Sequence, residues 1–321
     1  MSITKEINTK FIESIKEKIP NEANMAKVIM DILSIGKEAT YRRLRGDVSF
    51  SFDEVIILSR KLSISIDAFA GTHSPNEVLF ELIPVSYQDM KDVDYVTTQQ
   101  FNDALNFMKD DIESELAYAS NMFPQFIFSR YYNLAKFHAY KWGYQNKIST
   151  TVVPFHEMDY PDDFYELNLR NVEEMTKLKK TCYILDDRVF HAMVNDVKYF
   201  QSINLIQGKD VKKIRTQLLD MLDDFEKIIE TGRFKTGNKV EIYLSNMNFE
   251  TTYCYLKGNS FNLSMIGVFG LNYVTSLDRR TLEYMKEWIH ILKTSSTLIS
   301  ESGQIQIAQF INAQRKVFSD M

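Results

Sequence analysis

Cysteine is scarce in this chain of 321 residues, which has only Cys182 and Cys254, 72 positions apart. A zinc-finger type of metal site, a redox pair and a disulfide framework all need more cysteines or much closer ones. The sequence therefore excludes these three classes. It predicts two buried thiols in a reducing compartment.

Histidine and glycine are sparse as well. The 11 glycines form no phosphate-binding loop, and no two histidines have the i, i+4 spacing of a helical zinc pair. The adjacent carboxylates Asp186–Asp187 and Asp223–Asp224 lie at a predicted helix start or on an acidic helix face, where capping and solvation explain them. We therefore expect no metal, no cofactor and no enzymatic activity.

Long apolar segments are missing. No apolar run approaches the roughly 18 residues that a membrane span needs. The first residues also lack the basic segment followed by an apolar one that is typical of a secretion signal. We expect a cytoplasmic protein without a membrane partner.

The charge is distributed unevenly along the chain. The net charge is −5, but residues 1–71 hold 11 basic and 10 acidic residues, which leaves 27 and 33 for the remainder. From Lys37 to Arg45 there are four basic residues and one acidic residue. A basic face can bind nucleic acid within an acidic protein, because salt screens charges beyond about 10 Å. The charge pattern thus permits DNA binding without requiring it.

The most informative segment is residues 26–46. It predicts an amphipathic helix, a sharp turn at Gly36, and a short second helix that ends at Gly46. Further helical periodicity runs from Asp53 to Phe69. Several small helices around a shared core, one of them basic and next to a turn, can enter the DNA major groove.

The residues of this segment resemble the helix-turn-helix domain of the Cro and phage-repressor type of bacterial regulators. Ile29 and Leu33 stand at the two leucine positions of the family pattern, and Ile35 stands at its isoleucine. Tyr41-Arg42-Arg43-Leu44-Arg45-Gly46 matches the end of the recognition helix, and residues 52–67 match the next helix and its turn. The resemblance covers about a fifth of the chain. It implies sequence-specific regulation of transcription in a bacterial cytoplasm.

The resemblance also implies roles for individual residues, listed here by the part of DNA that each contacts. The base edges are assigned to Lys37, Glu38, Tyr41 and Arg42, and the phosphates to Arg43, Arg45, Ser49 and Ser51. A solvated basic helix face is the alternative interpretation of the same residues.

The segment departs from the family pattern at several positions. Met30 replaces a small alanine, and Ser34 replaces the glycine of the turn. Thr40 and Arg43 replace apolar core residues, for which Leu44 can substitute by a small rotation of the helix.

The remainder of the chain predicts a second, larger domain. We divide the chain into a helix-turn-helix domain at 1–71, a linker at 72–99 and an α+β domain at 100–321, because Gly, Ser, Pro and Asn cluster at 71–77. The pattern predicts helices at 100–119, 124–142, 162–176, 187–203, 210–229, 278–292 and 303–318, and strands at 239–244, 252–256 and 261–269. The predicted fold class is mainly α, an all-α domain followed by a larger helical domain with a small antiparallel sheet.

The second domain suggests two kinds of partner. A homodimer is expected, held mainly after residue 100 by the helices at 100–142 and 210–229, because one helix-turn-helix domain reads too few base pairs. The aromatic run at 123–142 and the hydroxyl-rich run at 294–303 leave room for a small-molecule effector, although core packing and a polar loop explain them more simply. An enzyme, or an adaptor with an N-terminal helical binding module, is the alternative function. The operator and the sign of regulation do not follow from the sequence.

Overall fold

The computed structural model divides into two compact units, residues 1–78 and 79–321. It describes residues 3–19, 22–62, 64, 66, 78–82, 90–108, 110–122, 124–147, 152–186, 188–259, 261–268 and 272–321. Much of the predicted linker at 72–99 lies outside the described residues. The predicted start of the larger domain, at residue 100, falls inside a helix that begins at Met90.

The first unit is helical throughout its regular part, as the sequence predicts. The described helices are α1 (Ile3–Lys18), α2 (Glu22–Leu33), α3 (Lys37–Leu44) and α4 (Phe52–Leu62). Their apolar faces meet in one small core, whose fully buried members include Phe11, Ile15, Ile29 and Leu58. Burial of an apolar face supplies most of the stability of such short helices, which are marginal in isolation.

The turn between α2 and α3 is made by Ser34 rather than by Gly36. Ser34 has a φ of +53°, in the left-handed region that favours glycine, whereas Gly36 has an ordinary φ of −71° and precedes α3 as its N-cap. The sequence-based assignment of the sharp turn to Gly36 was therefore wrong. Ser34 therefore carries the strain of this turn.

Gly46 ends α3 as predicted. Its φ is +77°, its N–H donates to the carbonyl of Arg43 at 2.9 Å, and the N–H of Asp47 donates to that of Arg42 at 2.9 Å. These two bonds form a Schellman motif, which satisfies the last carbonyls of the helix. The left-handed conformation explains the glycine at this position.

The second unit is built on one eight-stranded mixed sheet of the described strands. The strands are β1 (Glu81–Leu82), β2 (Glu115–Ser120), β3 (Lys180–Asp186), β4 (Lys239–Ser245), β5 (Tyr253–Lys257), β6 (Asn262–Val268), β7 (Asn272–Ser276) and β8 (Ser296–Leu298). Their order across the sheet is β1-β7-β6-β5-β2-β3-β4-β8. The pairs β2–β3 and β3–β4 are parallel, and the other pairs are antiparallel. The predicted small antiparallel sheet is therefore wrong, because the sheet has eight described strands and two of its pairs are parallel.

The two faces of this sheet are covered by helices. The described helices of this unit are α5 (Met90–Met108), α6 (Gln125–Phe128), α7 (Tyr132–Gln145), α8 (Asp162–Met175), α9 (Val189–Ser202), α10 (Gly208–Thr231), α11 (Arg279–Thr294) and α12 (Gln304–Ser319), with a 3₁₀ turn at Phe155–Glu157. On one face, alternate strand residues such as Tyr183 and Leu185 join a large core with α5 and α7–α10. On the other face, Ile184 and its neighbours pack against α11. Because successive side chains of a strand point to opposite faces of the sheet, the same strands contribute to two separate cores.

The main error in the element assignment concerns residues 100–119. The helix ends at Met108, and Glu115–Ser120 form β2, which lies between β5 and β3 inside the sheet. Leu116, taken from the sequence as a helix-face residue, is fully buried in β2. A short apolar run that is buried on both faces has no period that distinguishes strand from helix. The strand β3 has the same character and was not predicted.

The aromatic run at 123–142 forms core. Phe128, Phe137, Tyr140 and Trp142 are buried, and Tyr140 packs edge-on against Phe155 with ring centroids 5.5 Å apart. The predictions for Phe123 and for the side chain of Phe126 fall outside the described residues. These rings favour the core interpretation over an effector pocket.

Candidate nucleic-acid interface

The exposed face of α3 brings together the side chains assigned to base contacts. Lys37, Glu38, Tyr41 and Arg42 are all exposed, and the Nζ of Lys37 lies 6.0 Å from the centre of the Tyr41 ring. Lys37 and Tyr41 are four positions apart, as are Glu38 and Arg42, so the four side chains follow one side of a short helix. The sequence grouped these four residues as the structure does.

The opposite face of α3 is anchored in the unit. Thr40 is fully buried, and its Oγ1 donates to the carbonyl of Gly36 at 3.1 Å. Leu44 packs against the core, in agreement with the substitute contact expected for it. Burial of Thr40 on one side fixes which side chains of α3 point outward.

Arg43 is engaged inside the unit by Glu54 of α4. Its Nε lies 2.9 Å from Glu54 Oε2, its second terminal nitrogen lies 2.8 Å from Oε1, and its first donates to the carbonyl of Ala39 at 3.1 Å. The two side chains are only 19% and 16% exposed. A bidentate pair of this kind has a defined orientation. It joins α3 to α4 and occupies all three guanidinium nitrogens of a residue assigned to phosphate.

Glu54 also closes a capping box at the start of α4. The backbone N–H of Ser51 donates to Glu54 Oε2 at 2.9 Å, and the N–H of Glu54 donates to Ser51 Oγ at 3.3 Å. Burial raises the pKa of Glu54, but the bonds from Arg43 and Ser51 outweigh it and lower the pKa below its ordinary value. Glu54 is therefore ionised at neutral pH. Sequence reasoning missed this carboxylate, although Ser-Phe-Asp-Glu is a capping-box pattern.

Three other predicted phosphate ligands lie at the surface next to α3. Arg45 is exposed, with its Nε 2.9 Å from Asp47 Oδ2 and a terminal nitrogen 3.6 Å from Glu38 Oε1. Ser49 and Ser51 are exposed in the loop that leads to α4. Surface pairs such as that of Arg45 are weak and exchange readily for a phosphate.

The paired carboxylates of the second unit are structural. Asp186 Oδ1 accepts the N–H of Arg188 at 2.8 Å just before α9, whereas Asp187 lies outside the described residues. Asp223 lies 2.6 Å from Arg315, and Asp224 accepts a hydrogen bond from Tyr131 at 3.0 Å. Each described member thus has partners within the fold.

The hydroxyl-rich run at 294–303 is neither a ligand-binding loop nor a simple interhelical loop. Ser296–Leu298 form the edge strand β8, which pairs with β4. Ser300 is buried, and its Oγ accepts the N–H of Ile242 at 3.1 Å. Ser300 thus satisfies a backbone group of the sheet, whereas the hydroxyls of Ser295 and Ser296 donate to the carbonyl of Leu292 in α11.

A cleft of about 760 Å³ lies between the sheet and α11. Its lining includes Glu115, Cys182, Tyr255, His290 and Lys293. The hydroxyl of Tyr255 donates to Glu115 Oε1 at 2.6 Å. Binding sites for small molecules commonly measure about 300–1,000 Å³ and combine apolar walls with a few polar groups. No pattern in the sequence indicates this cleft, because its lining residues come from separate strands and from α11.

One charged group that lines this cleft, Lys293, is neutralised by a carboxylate of β4. Lys293 donates to Glu241 Oε2 at 2.5 Å, and its Nζ lies 4.8 Å from the centre of the Tyr243 ring. Burial lowers the pKa of Lys293, but the bond to Glu241 and its neighbours raise it above the ordinary value. Burial also raises the pKa of the Cys182 thiol to about 12, so this thiol is protonated at neutral pH.

Comparisons with protein-family models, with curated proteins and with solved structures found no match to this chain. In the described part of the chain, His, Cys, Asp and Glu form no group of three that could hold a metal ion. No helix among the described residues is long and apolar enough to cross a membrane.

Proposed function

We propose that this protein is a sequence-specific DNA-binding regulator of transcription that reads bases with α3. One observation carries the proposal: Lys37, Glu38, Tyr41 and Arg42 share one exposed helix face, while the other face is fixed in the core by Thr40. A helix presented in this way fits the width of the major groove.

The chemistry of each side chain suggests a separate role. Arg42 and Lys37 match the acceptor pair of guanine, and the Glu38 carboxylate matches the amino group of cytosine. Arg45, Ser49 and Ser51 suit phosphates and would set the position of the helix on the duplex. For Arg43 the contact with Glu54 supports a different role, that of a positioning residue that orients α3 on α4.

Selection of bound sites from random duplex DNA with the purified protein tests this proposal. A recovered motif supports it, and a pool without sequence preference contradicts it. On the preferred site, Arg42→Ala should weaken binding by about 1–3 kcal/mol and relax one base position. Arg45→Ala should weaken all sequences alike and reduce the salt dependence.

Arg60→Ala is the matched control, because Arg60 is an exposed arginine of the same unit that lies on α4 outside the α3 face. It should leave both the preferred site and its affinity nearly unchanged. An Arg42→Ala protein that binds as tightly as the control, with the same base preference, would contradict the role of α3.

The cleft beside α11 supports an effector as a further part of the proposal. Its size and its mixture of aromatic and charged groups suit a small polar molecule better than the aromatic core does. A bound metabolite should raise the melting temperature of the full chain. Lys286→Ala, which alters the rim of the cleft, should reduce that shift in melting temperature. An unchanged shift would show that the metabolite does not bind in this cleft.

The enzyme alternative has less support. Cys182 is the one cysteine that lines the cleft, and its protonated thiol is a poor nucleophile. The adaptor alternative predicts that substitutions on the α3 face change partner binding and leave DNA unaffected, so the DNA selection separates it from the proposal.

A further inference from the structure

The helix α11 carries two apolar stripes, and only one is covered. Leu282, Met285, Ile289 and Leu292 are buried against the sheet. A second stripe lies on a side of the helix, where Tyr284, Trp288 and Ile291 are 52%, 39% and 50% exposed. Their spacing of four and three residues places them in one row.

The row continues beyond the helix. Leu277, directly before the N-cap Asp278, is 50% exposed. Four large apolar side chains, each with roughly 100 Å² accessible, form a patch in the range of about 300–600 Å² that is often functional on monomers. We call Leu277, Tyr284, Trp288 and Ile291 the α11 patch.

Two described helices in the ranges predicted for the dimer, α10 and α7, bury most of their large apolar side chains. In α10, the apolar positions from Val211 to Ile229 are buried in the large core of the second unit. In α7, Phe137, Tyr140 and Trp142 are buried as well. Those helices were expected at an interface because of spare apolar surface. The structure shows such surface on α11 instead.

We propose that the α11 patch binds the same patch of a second copy, with the two α11 helices antiparallel and Tyr284 on the two-fold axis. This inference names the interface of the dimer that the proposed function needs. In such a two-fold contact, a residue on one side of the axis along the helix meets the partner's residue that lies at the same distance on the other side in its own chain. The charges and the apolar side chains of α11 are complementary under that operation.

The apolar ends of the patch match each other in this arrangement. Ile291 lies seven residues after Tyr284, and Leu277 lies at the opposite end of α11, directly before its N-cap, so Ile291 faces that end of the partner's helix. Trp288 and Arg280 lie four residues on either side of Tyr284, so Trp288 comes level with the partner's Arg280.

The charges at the rim also match. Along the helix, Glu287 lies about one residue from the level of the partner's Arg280. Both residues flank the row of Tyr284 and Ile291 on the same side, so the two side chains face each other across the interface. In the single copy, Arg280 uses a terminal nitrogen for an exposed contact of 3.1 Å with Asp278. Its other nitrogens can reach the carboxylate of the second copy. Two such pairs would form, one on each side of the axis.

The first test measures the mass of the full chain in solution without DNA, at micromolar concentration. The wild type should be a dimer. Tyr284→Asp and Ile291→Asp should each be monomeric, because the first places a charge on the two-fold axis and the second places one in the apolar contact at the end of the patch. Tyr199→Asp is the matched control, since Tyr199 lies on α9 and is 50% exposed, and it should remain a dimer.

The second test fixes the arrangement of the helices by exchanging charges. Arg280→Glu and Glu287→Arg should each raise the dimer dissociation constant about tenfold or more, because like charges then face each other. The double variant restores opposite charges across the axis and should recover most of the affinity. Circular dichroism of each variant confirms that the fold is retained.

A monomeric wild type, or an Ile291→Asp variant that stays dimeric, would overturn the interface. A double variant no tighter than the two single variants would overturn the proposed pairing of Arg280 with Glu287. These results are independent of DNA: a dimer that selects no DNA sequence contradicts the proposed function alone, and a monomer that selects a site contradicts the interface alone.

Discussion

The adjacent arginines Arg42 and Arg43 should separate DNA binding from stability. Arg43 holds α4 through Glu54, with its Nε 2.9 Å from Oε2 and a terminal nitrogen 2.8 Å from Oε1, whereas Arg42 is exposed on the proposed DNA face. Replacement of Arg43 by Ala removes a largely buried, charge-assisted pair. Hydrogen bonds to charged groups contribute about 1.5–3 kcal/mol, so we expect a loss of about 2 kcal/mol in the free energy of unfolding.

Thermal and urea unfolding of the full chain measure this loss. For a unit of this size, 1 kcal/mol corresponds to about 4–8 °C, so the transition of the first unit should fall by about 8–16 °C in Arg43→Ala. Arg42→Ala should change it by less than about 0.5 kcal/mol, because exposed side chains without buried partners contribute little. Glu54→Gln should reproduce the loss, and the Arg43→Ala/Glu54→Gln double variant should lose less than the sum of the two.

The acid side of the stability curve gives an independent check. The pKa of Glu54 is lowered in the folded protein, so its pair with Arg43 stabilises the fold above the ordinary glutamate pKa and is lost as the pH falls through the folded pKa. The wild type should therefore converge with Glu54→Gln in strong acid. The reasoning fails if Arg43→Ala melts with the wild type while its DNA affinity drops, because Arg43 would then act at the phosphate and not at Glu54.

Two further predictions concern the turn and a buried histidine. Gly46→Ala should destabilise the first unit by about 1–2 kcal/mol because of its positive φ, whereas Ser34→Gly should stabilise it by about 0.5 kcal/mol and Gly36→Ser should be tolerated. Chemical unfolding measures the sign of each change. A loss of stability in Gly36→Ser that exceeds the loss in Gly46→Ala would show that Gly36, and not Ser34, makes the turn. Burial lowers the pKa of His138 to about 3 in the folded protein, whereas the unfolded chain takes up the proton near the ordinary histidine pKa of about 6.5. The contribution of the neutral imidazole to stability is therefore fully present above pH 6.5 and is lost as the pH falls towards 3. From pH 7 to pH 5.5 this group should cost about 1 kcal/mol, and the His138→Phe variant should show a correspondingly smaller change in urea titrations at the two values.

The parts that the sequence predicted correctly depend on local chemistry. Gly46 ends α3 because only its own backbone has to adopt the left-handed conformation. The amphipathic helices of the first unit follow from a period of 3.6 residues. The exposed group of Lys37, Glu38, Tyr41 and Arg42 also follows from that period, once the buried side of α3 is known.

Residues far apart in the sequence decided the rest. Leu116 belongs to a strand because β3 and β5 flank it on both sides, and no periodicity in an apolar run records such neighbours. Arg43 faces Glu54 because α3 packs on α4, which a charge count cannot distinguish from a basic surface. The α11 patch is exposed because the sheet covers only the other stripe of the helix. The sequence by itself determined the helices of the first unit and its exposed basic face. Tertiary packing decided the order and direction of the strands, the partner of Arg43 and the uncovered stripe of α11, because each depends on which distant segment fills the space beside a residue.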